Sequence, residues 1–156
     1  MSIRSRHERE GEPMLPLMDR DDVDAFLALE FPQMRHAGRE IIVAEVRSGT
    51  AVLRFAPDER DLRPGGTVSG PSLFALADYA AYAVVLAHVG PVALAVTTNM
   101  TINFLRRPRP GPLLAEARLL KLGRRLAVSD IAVRPEGDDE LAAHAVATYA
   151  LPHERG

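Results

Sequence analysis

The chain has 156 residues, 47% of them hydrophobic and 26% charged, which suits one globular domain of ordinary composition. A net charge of -2, with five Phe, three Tyr and no Trp, argues against a nucleic-acid binder, which needs a basic surface and aromatic stacking platforms. The absence of cysteine excludes disulfides, thiolate nucleophiles and cysteine-based zinc sites, and the single lysine, Lys121, leaves little scope for amine chemistry.

The N-terminal part of the sequence is charged and lacks the apolar segment of a signal peptide, so we expect a cytoplasmic protein. Residues 1–20 show no hydrophobic period and are expected to form a flexible arm. A single domain is expected over residues 21–152, with a short tail at residues 153–156.

A short amphipathic helix is predicted first in this domain, because Asp21 and Asp22 precede apolar residues of helical spacing that end at Pro32. Two β-type runs follow, at residues 41–47 and 51–55. The three residues between them read as a hairpin turn, so these two strands are expected to pair.

A longer helix is predicted from Ser72 to Gly90, where apolar residues cover every face, as in a helix buried all round. A membrane span is rejected because the segment is rich in alanine and contains an acid. Four strands are predicted after this helix, at residues 92–105, 113–122, 126–134 and 141–151.

The first of these four strands alternates in polarity, which places Thr98 with Met100 on an apolar face and Thr97 on the opposite face. The whole element order predicts an α+β fold, in which an antiparallel sheet packs around the long helix.

Asp78 is the one formally charged side chain between Arg63 and Arg106, and it lies in the middle of the most apolar helix. An unpaired carboxylate in such a place costs several kcal/mol, so the residue requires an explanation. Either Asp78 meets solvent at a dimer groove or bonds Tyr82 one turn away, or it is a nucleophile or general base in an apolar cleft. The second explanation is favoured because of the helix start nearby.

At that start, Gly70 permits close approach of a ligand, and the free N–H groups of a helix N-terminus can polarise a carbonyl. The alternative is that Ser69, Gly70 and Pro71 form no more than a helix cap. Gly70 and Asp78 are roughly 10 Å apart along one helix, too far to act on the same carbonyl. We therefore expect the acid to come from a second subunit, with the active site across a dimer interface.

Three segments resemble the PaaI-like acyl-CoA thioesterases of the hotdog fold: residues 65–71, Leu76-Ala77-Asp78, and residues 101–106. The resemblance extends over residues 41–152. It implies an obligate dimer with a continuous sheet, or a dimer of dimers, that hydrolyses acyl-CoA thioesters. Coenzyme A is then part of the substrate, and no cofactor, metal, nucleic acid or membrane is expected.

The resemblance also implies roles for individual residues. The Gly70 N–H would polarise the thioester carbonyl, and Asp78 of the partner subunit would attack it or activate water. A small hydroxyl residue after the helix often assists in this family. Thr97 fits that place best, with Thr98 as a close rival.

The chain departs from the family pattern around the helix start. The usual His-Gly-Gly is replaced by Ser69, Gly70 and Pro71, so that a histidine and one amide donor are lost. Arg63 stands where an Asn is usual. Ser69 and Arg63 are both retained as predicted substrate-binding residues.

Arginine recognises phosphate bidentately, and two arginine clusters are predicted to contact the phosphates of coenzyme A. One is Arg106 and Arg107 at the end of a strand, and the other is the turn formed by Gly123, Arg124 and Arg125. Solvated surface arginines are the alternative for each of them.

Tyr79 and Tyr82 are predicted to line the acyl pocket. Two other functions remain open. A dehydratase would need a histidine beside the acid, and His88 lies ten residues away. A non-catalytic acyl-CoA sensor or assembly module would explain the lost His-Gly-Gly, whereas the retained Asp78 argues against it.

Overall fold

The computed structural model describes residues 14–34 and 40–152. Residues 1–13 of the predicted arm and the tail at 153–156 lie outside the described residues. The described part of the arm contacts the domain, because the N–H groups of Leu17 and Met18 donate to the Ala87 carbonyl at 2.7 and 3.1 Å.

Two α-helices and six β-strands make up the described part of the chain. They are α1 (Arg20–Glu30), β1 (Glu40–Arg47), β2 (Thr50–Ala56), α2 (Gly70–Val89), β3 (Val96–Phe104), β4 (Leu113–Leu122), β5 (Leu126–Pro135) and β6 (Ala143–Ala150). The strands form one antiparallel sheet in the order β1-β2-β4-β5-β6-β3, and α2 packs on its inner face. The predicted α+β fold, a sheet wrapped around one long helix, is confirmed.

The sheet reaches α2 closely because its inward-facing residues are small. Ala115 and Ala117 on β4 are fully buried, as are Ala143, Ala145 and Ala147 on β6. The helix answers with its own buried alanines, so that two slim surfaces meet without a gap. By length and hydropathy α2 also passes as a membrane-spanning helix, yet most of it is buried within the sheet.

The prediction that α2 is buried on every side is wrong. Pro71 and Phe74 are exposed, and Ala75 and Asp78 are half-buried. These four positions follow the i, i+3, i+4, i+7 spacing of one helix face, so they form a single uncovered stripe. The strands cover the rest of the helix.

The predicted start of β3 at residue 92 is also wrong. Residues 92–95 form a turn in which the Ala95 N–H donates to the Val92 carbonyl at 3.0 Å. The Tyr82 hydroxyl holds this turn against α2 by donating to the Ala93 carbonyl at 3.0 Å. The alternation of apolar residues therefore continues into a turn that a tertiary contact determines.

His88 joins the end of α2 to the β1–β2 hairpin. Its Nε2 accepts from the Gly49 N–H at 2.8 Å, and its Nδ1 lies 2.8 Å from the Val84 carbonyl, to which it donates in the neutral ring. Burial lowers the pKa of His88 from its ordinary value of 6.5. Protonation would place an N–H against the Gly49 N–H, so the fold requires the neutral imidazole.

We expect the free energy of unfolding to fall on acidification. The unfolded state takes up the His88 proton below pH 6.5, whereas the folded state resists it, so stability is full above that pH and is lost as pH falls towards the lowered pKa. Denaturant unfolding of wild type and His88→Gln between pH 7.5 and 5.5 measures this, with His144→Gln on the outer sheet face as control. A pH dependence that survives unchanged in His88→Gln would contradict the assignment.

Candidate functional site

The Asp78 carboxylate is held by two hydroxyl groups of the same chain. Its Oδ1 accepts from Thr97 Oγ1 at 2.6 Å and from Tyr149 Oη at 2.7 Å. The alternative in which Asp78 bonds Tyr82 is wrong, because the Tyr82 hydroxyl donates to Ala93. Asp78 is half-buried and forms no ion pair with a described residue.

Thr97 reaches Asp78 because of a β-bulge in β3. The pairing with β6 shifts register between Thr97 and Asn99, so that Thr98 is an extra residue. Thr97 and Met100 consequently pair with the inward-facing Tyr149 and Ala147. The predicted alternation, which put Thr97 and Met100 on opposite faces, is wrong, although Thr97 itself contacts Asp78.

Thr98 makes a different contact. Its Oγ1 donates to the Thr148 carbonyl at 3.2 Å, which ties the bulge to β6. Of the two rival hydroxyl residues, Thr97 is therefore the one that contacts the acid.

Sequence reasoning missed Tyr149. On the inward face of β6 it follows Ala143, Ala145 and Ala147, all of them fully buried. A large residue with a hydroxyl group at the end of a row of inward alanines is the signal that was available. It was overlooked because the strand was interpreted as core.

The start of α2 leaves one amide without a partner in the described residues. Ser69 caps the helix, accepting from the Ser72 N–H at 3.3 Å with its hydroxyl and from the Leu73 N–H at 3.1 Å with its carbonyl. Pro71 has no N–H. The Gly70 N–H remains, and it lies at the positive end of the helix dipole.

A buried carboxylate anchors this helix start from below. Asp61 is 0% exposed, and its Oδ1 accepts from the Ser72 hydroxyl at 2.9 Å. Its carbonyl accepts from the Ser69 N–H at 2.7 Å. The Ser69 hydroxyl in turn donates to Ser72 at 3.1 Å, so Ser69 belongs to a buried network as well as to the cap.

Gly70 lies beside Phe104 at the end of β3. A Cβ built on Gly70 would sit 3.4 Å from the Phe104 ring. The two residues line a cavity of about 290 Å³ together with three of the predicted arginines, Arg63, Arg106 and Arg107. The structure thus brings the predicted oxyanion donor and these arginines together.

The arginines of this cavity differ in their partners. The Arg106 guanidinium contacts Glu140 and Asp138 at 2.8 and 3.2 Å, and it also donates to the Glu140 and Leu141 carbonyls. Arg63 and Arg107 are exposed and form no ion pair with a described residue. Arg106 therefore clasps the β5–β6 loop, and the other two are available to a ligand.

The turn formed by Gly123, Arg124 and Arg125 lies at the opposite end of the sheet. Leu126, which follows it, pairs with Ala150, and Ala150 pairs with Val96. A Cβ on Gly123 would sit 3.1 Å from the Leu126 carbonyl, so the turn is tight. Its two arginines are exposed, at the same end of the sheet as Thr97.

Tyr79 and Tyr82 lie next to Asp78 on α2, where the Phe31 ring packs on both, with centroids 5.5 and 6.2 Å away. Tyr82 is almost fully buried and Tyr79 half-buried. His88, the histidine considered for a dehydratase, has both ring nitrogens engaged by Gly49 and Val84.

The site residues therefore form two separate groups within one chain. Gly70, Arg63 and Arg107 lie at the Phe104 end of β3, and Asp78 and Thr97 lie at its beginning. The two groups are about two helical turns apart along α2. No cluster of three His, Asp or Glu residues suited to a metal ion occurs in residues 14–34 and 40–152.

Comparison with known proteins assigns the family. The sequence profile of the thioesterase superfamily matches residues 65–142. A Saccharolobus solfataricus protein, named by inference as an esterase, is 30% identical over 88% of this chain and 83% of its own length.

Two crystal structures are similar to this chain. One, an inferred thioesterase from Silicibacter, is 47% identical and covers 91% of this chain and 97% of its own, with a TM-score of 0.81. The other, from Ralstonia eutropha, is described as an inferred thioesterase related to phenylacetic acid degradation. It is 27% identical over 77% of this chain and 89% of its own, with a TM-score of 0.67. The profile match over half of the chain, the 30% identical relative and the shared fold show that this chain belongs to the thioesterase superfamily, with the hotdog fold and the hydrolysis of thioesters that characterise it.

Proposed function

We propose that the protein hydrolyses acyl-CoA thioesters at a site built from two subunits. The observation that carries this proposal is the separation of the two functional groups. The Gly70 N–H is directed to the cavity at one end of β3, and the Asp78 carboxylate is held at the other. Each group is one half of a hydrolytic site, and each lacks the other half within its own chain.

Pairing of β3 with β3 of a second copy would unite the halves. In an antiparallel pair of identical strands, a two-fold axis passes through the middle, so that the beginning of each strand lies opposite the end of the other. For β3 the centre falls near Met100 and Thr101. Thr97 and Asp78 of one subunit then lie opposite Phe104 and Gly70 of the partner.

The two edges of the sheet support this choice of interface. β3 is an edge strand of nine residues with exposed Val96 and Phe104, a surface that invites pairing. The other edge, β1, carries charged Glu40, Glu45 and Arg47 and a bulge after Val43, features that discourage pairing. The uncovered stripe of α2 also calls for a partner, and hotdog thioesterases are generally oligomeric.

The chemistry follows from the two halves. The Gly70 N–H donates to the thioester oxygen, which becomes negative as the tetrahedral intermediate forms. Asp78 of the partner either attacks the carbonyl carbon directly or takes a proton from the attacking water. The C–S bond then breaks, coenzyme A leaves as the thiolate, and hydrolysis releases the free acid.

The arginines provide the preference for a coenzyme A thioester. Arg124 and Arg125 lie at the Asp78 end of the sheet and are free of ion pairs with described residues, as are Arg63 and Arg107 at the Gly70 end. Exposed guanidinium groups beside a hydrolytic site favour a substrate with phosphates remote from the reacting bond.

Asp78→Asn is expected to lower kcat by roughly a thousandfold or more, because the amide neither attacks nor accepts a proton. The release of free coenzyme A is followed with a thiol reagent over short, medium, long and aryl-acetyl acyl-CoA. Phenylacetyl-CoA is included because the Ralstonia relative is named for phenylacetic acid degradation.

Asp139→Asn is the matched control for this substitution. It makes the same chemical change at an exposed loop residue and is expected to leave kcat unchanged. Measurable acyl-CoA binding without turnover at any chain length would contradict the proposal and favour an acyl-CoA sensor.

The two-subunit site is tested by mixing two inactive variants. Gly70→Pro removes the N–H donor at the first position of α2, where proline is tolerated, and Gly70→Ala retains it. A mixed dimer of Gly70→Pro and Asp78→Asn has one intact site, so a randomised 1:1 mixture is expected to recover about a quarter of wild-type activity. A site within one chain would recover none, and a fully active monomer would equally contradict the interface.

A further expectation concerns Arg124 and Arg125. Replacing both by Ala should raise KM for an acyl-CoA by roughly tenfold or more, and leave KM for the matching pantetheine thioester, which lacks the nucleotide phosphates, almost unchanged. Arg20→Ala on α1 serves as control. Equal effects on the two substrates would contradict contact with the nucleotide.

A further inference from the structure

The two carboxylate oxygens of Asp78 are not equivalent. Oδ1 accepts from the hydroxyl groups of Thr97 and Tyr149 at 2.6 and 2.7 Å. A carboxylate oxygen has two lone pairs in its plane, so these two donors saturate Oδ1. Oδ2 receives no hydrogen bond from residues 14–34 and 40–152.

This convergence of donors is a consequence of strand pairing. Thr97 on β3 and Tyr149 on β6 are direct cross-strand partners, with Cβ atoms about 5 Å apart. Both face α2, and the bulge at Thr98 gives Thr97 that orientation. The short threonine and the long tyrosine thus reach the same oxygen.

Tyr149 is firmly fixed in this position. Its side chain is 4% exposed, and its ring stacks on Tyr82 with centroids 6.0 Å apart and an interplanar angle of 11°. The hydroxyl also lies 3.0 Å from the Asp78 carbonyl, so it contacts both the backbone and the side chain of this residue. Burial and the neighbouring carboxylate raise the pKa of Tyr149, so the phenol keeps its proton and remains a donor.

We infer that Tyr149 is a positioning residue for the hydrolysis: with Thr97 it immobilises Oδ1 of Asp78 and presents Oδ2 to the thioester or to the attacking water. This inference deepens the proposed function and depends on it. Tyr149 acts through Asp78 and needs no contact with substrate.

Two effects of removing the hydroxyl oppose each other. A carboxylate that loses a donor becomes more basic, which favours attack, but it also loses its fixed orientation. Orientation dominates because the reacting atoms must be aligned at about 3 Å, and misplacement by about 1 Å costs up to a hundredfold. Loss of the donor also favours the protonated, inactive carboxyl group, so the acidic limb of the rate profile moves to higher pH.

Tyr149→Phe tests the inference, because phenylalanine retains the stacking on Tyr82. We expect kcat for acyl-CoA hydrolysis to fall roughly tenfold or more, KM to stay constant, and the acidic limb of the kcat profile to move up by about one pH unit. The titratable groups that contact the Asp78 site are Tyr149 from β6 and, through stacking, Tyr82 from α2. Neither titrates in the acidic range, so the limb reports on Asp78.

The controls separate the possible outcomes. Ser129→Ala removes a buried hydroxyl from the inward face of the neighbouring strand β5 and should change neither kcat nor the limb. Unfolding midpoints of all variants are measured alongside. If Asp78→Asn is inactive while Tyr149→Phe keeps the wild-type kcat or the wild-type acidic limb, the inference is overturned and the proposed function stands. If Asp78→Asn is fully active, the two are overturned together.

Discussion

The close packing of α2 against the sheet is the constraint on which the site depends. Fully buried alanines on β4, β6 and the helix itself allow the backbones to approach. At this distance the side chains of β3 and β6 reach the helix surface, and hydroxyl groups at the ends of Thr97 and Tyr149 meet the Asp78 carboxylate. A larger residue at Ala147 or Ala77 would separate helix and sheet and open these bonds, although neither alanine belongs to the site.

The same packing explains how an acidic residue is tolerated in the most apolar helix of the chain. A half-buried carboxylate is stabilised by charge-assisted hydrogen bonds, and Asp78 has two from short, well-placed hydroxyl groups. These bonds use a single oxygen and leave the other without a donor in the described residues. Such an arrangement serves a reactive group better than an ion pair would, because an arginine in a bidentate pair would occupy both oxygens.

Much of the fold was predictable from the sequence, because its turns carry strong local signals. The β1–β2 turn, the β4–β5 turn at Gly123 and the end of α2 at Gly90 all fall where Gly or Pro interrupts the pattern. Asp78 and Gly70 were identifiable for the same kind of reason: a charge in an apolar helix and a glycine at a helix start are local anomalies.

The errors occurred where tertiary contacts override the local pattern. A bulge at Thr98 leaves no mark on polarity, so strict alternation assigned Thr97 and Met100 to opposite faces. The Tyr82 hydroxyl folds residues 92–95 into a turn that looks like strand. Tyr149 is 71 positions from Asp78 and resembles an ordinary core residue until the sheet brings it to the acid.

The departures from the usual His-Gly-Gly acquire a physical meaning at the start of α2. Pro71 removes one amide, and Ser69 uses its hydroxyl and its carbonyl to cap the amides of Ser72 and Leu73. Ser69 is itself held by Ser72 and by the backbone of buried Asp61. Every other amide of the first turn is thus absent or capped, and the Gly70 N–H alone keeps the positive end of the helix dipole open to a ligand. The replacement of the histidine therefore concentrates carbonyl polarisation on one backbone donor, whose position depends on a buried Asp-Ser-Ser network and is independent of any titratable imidazole.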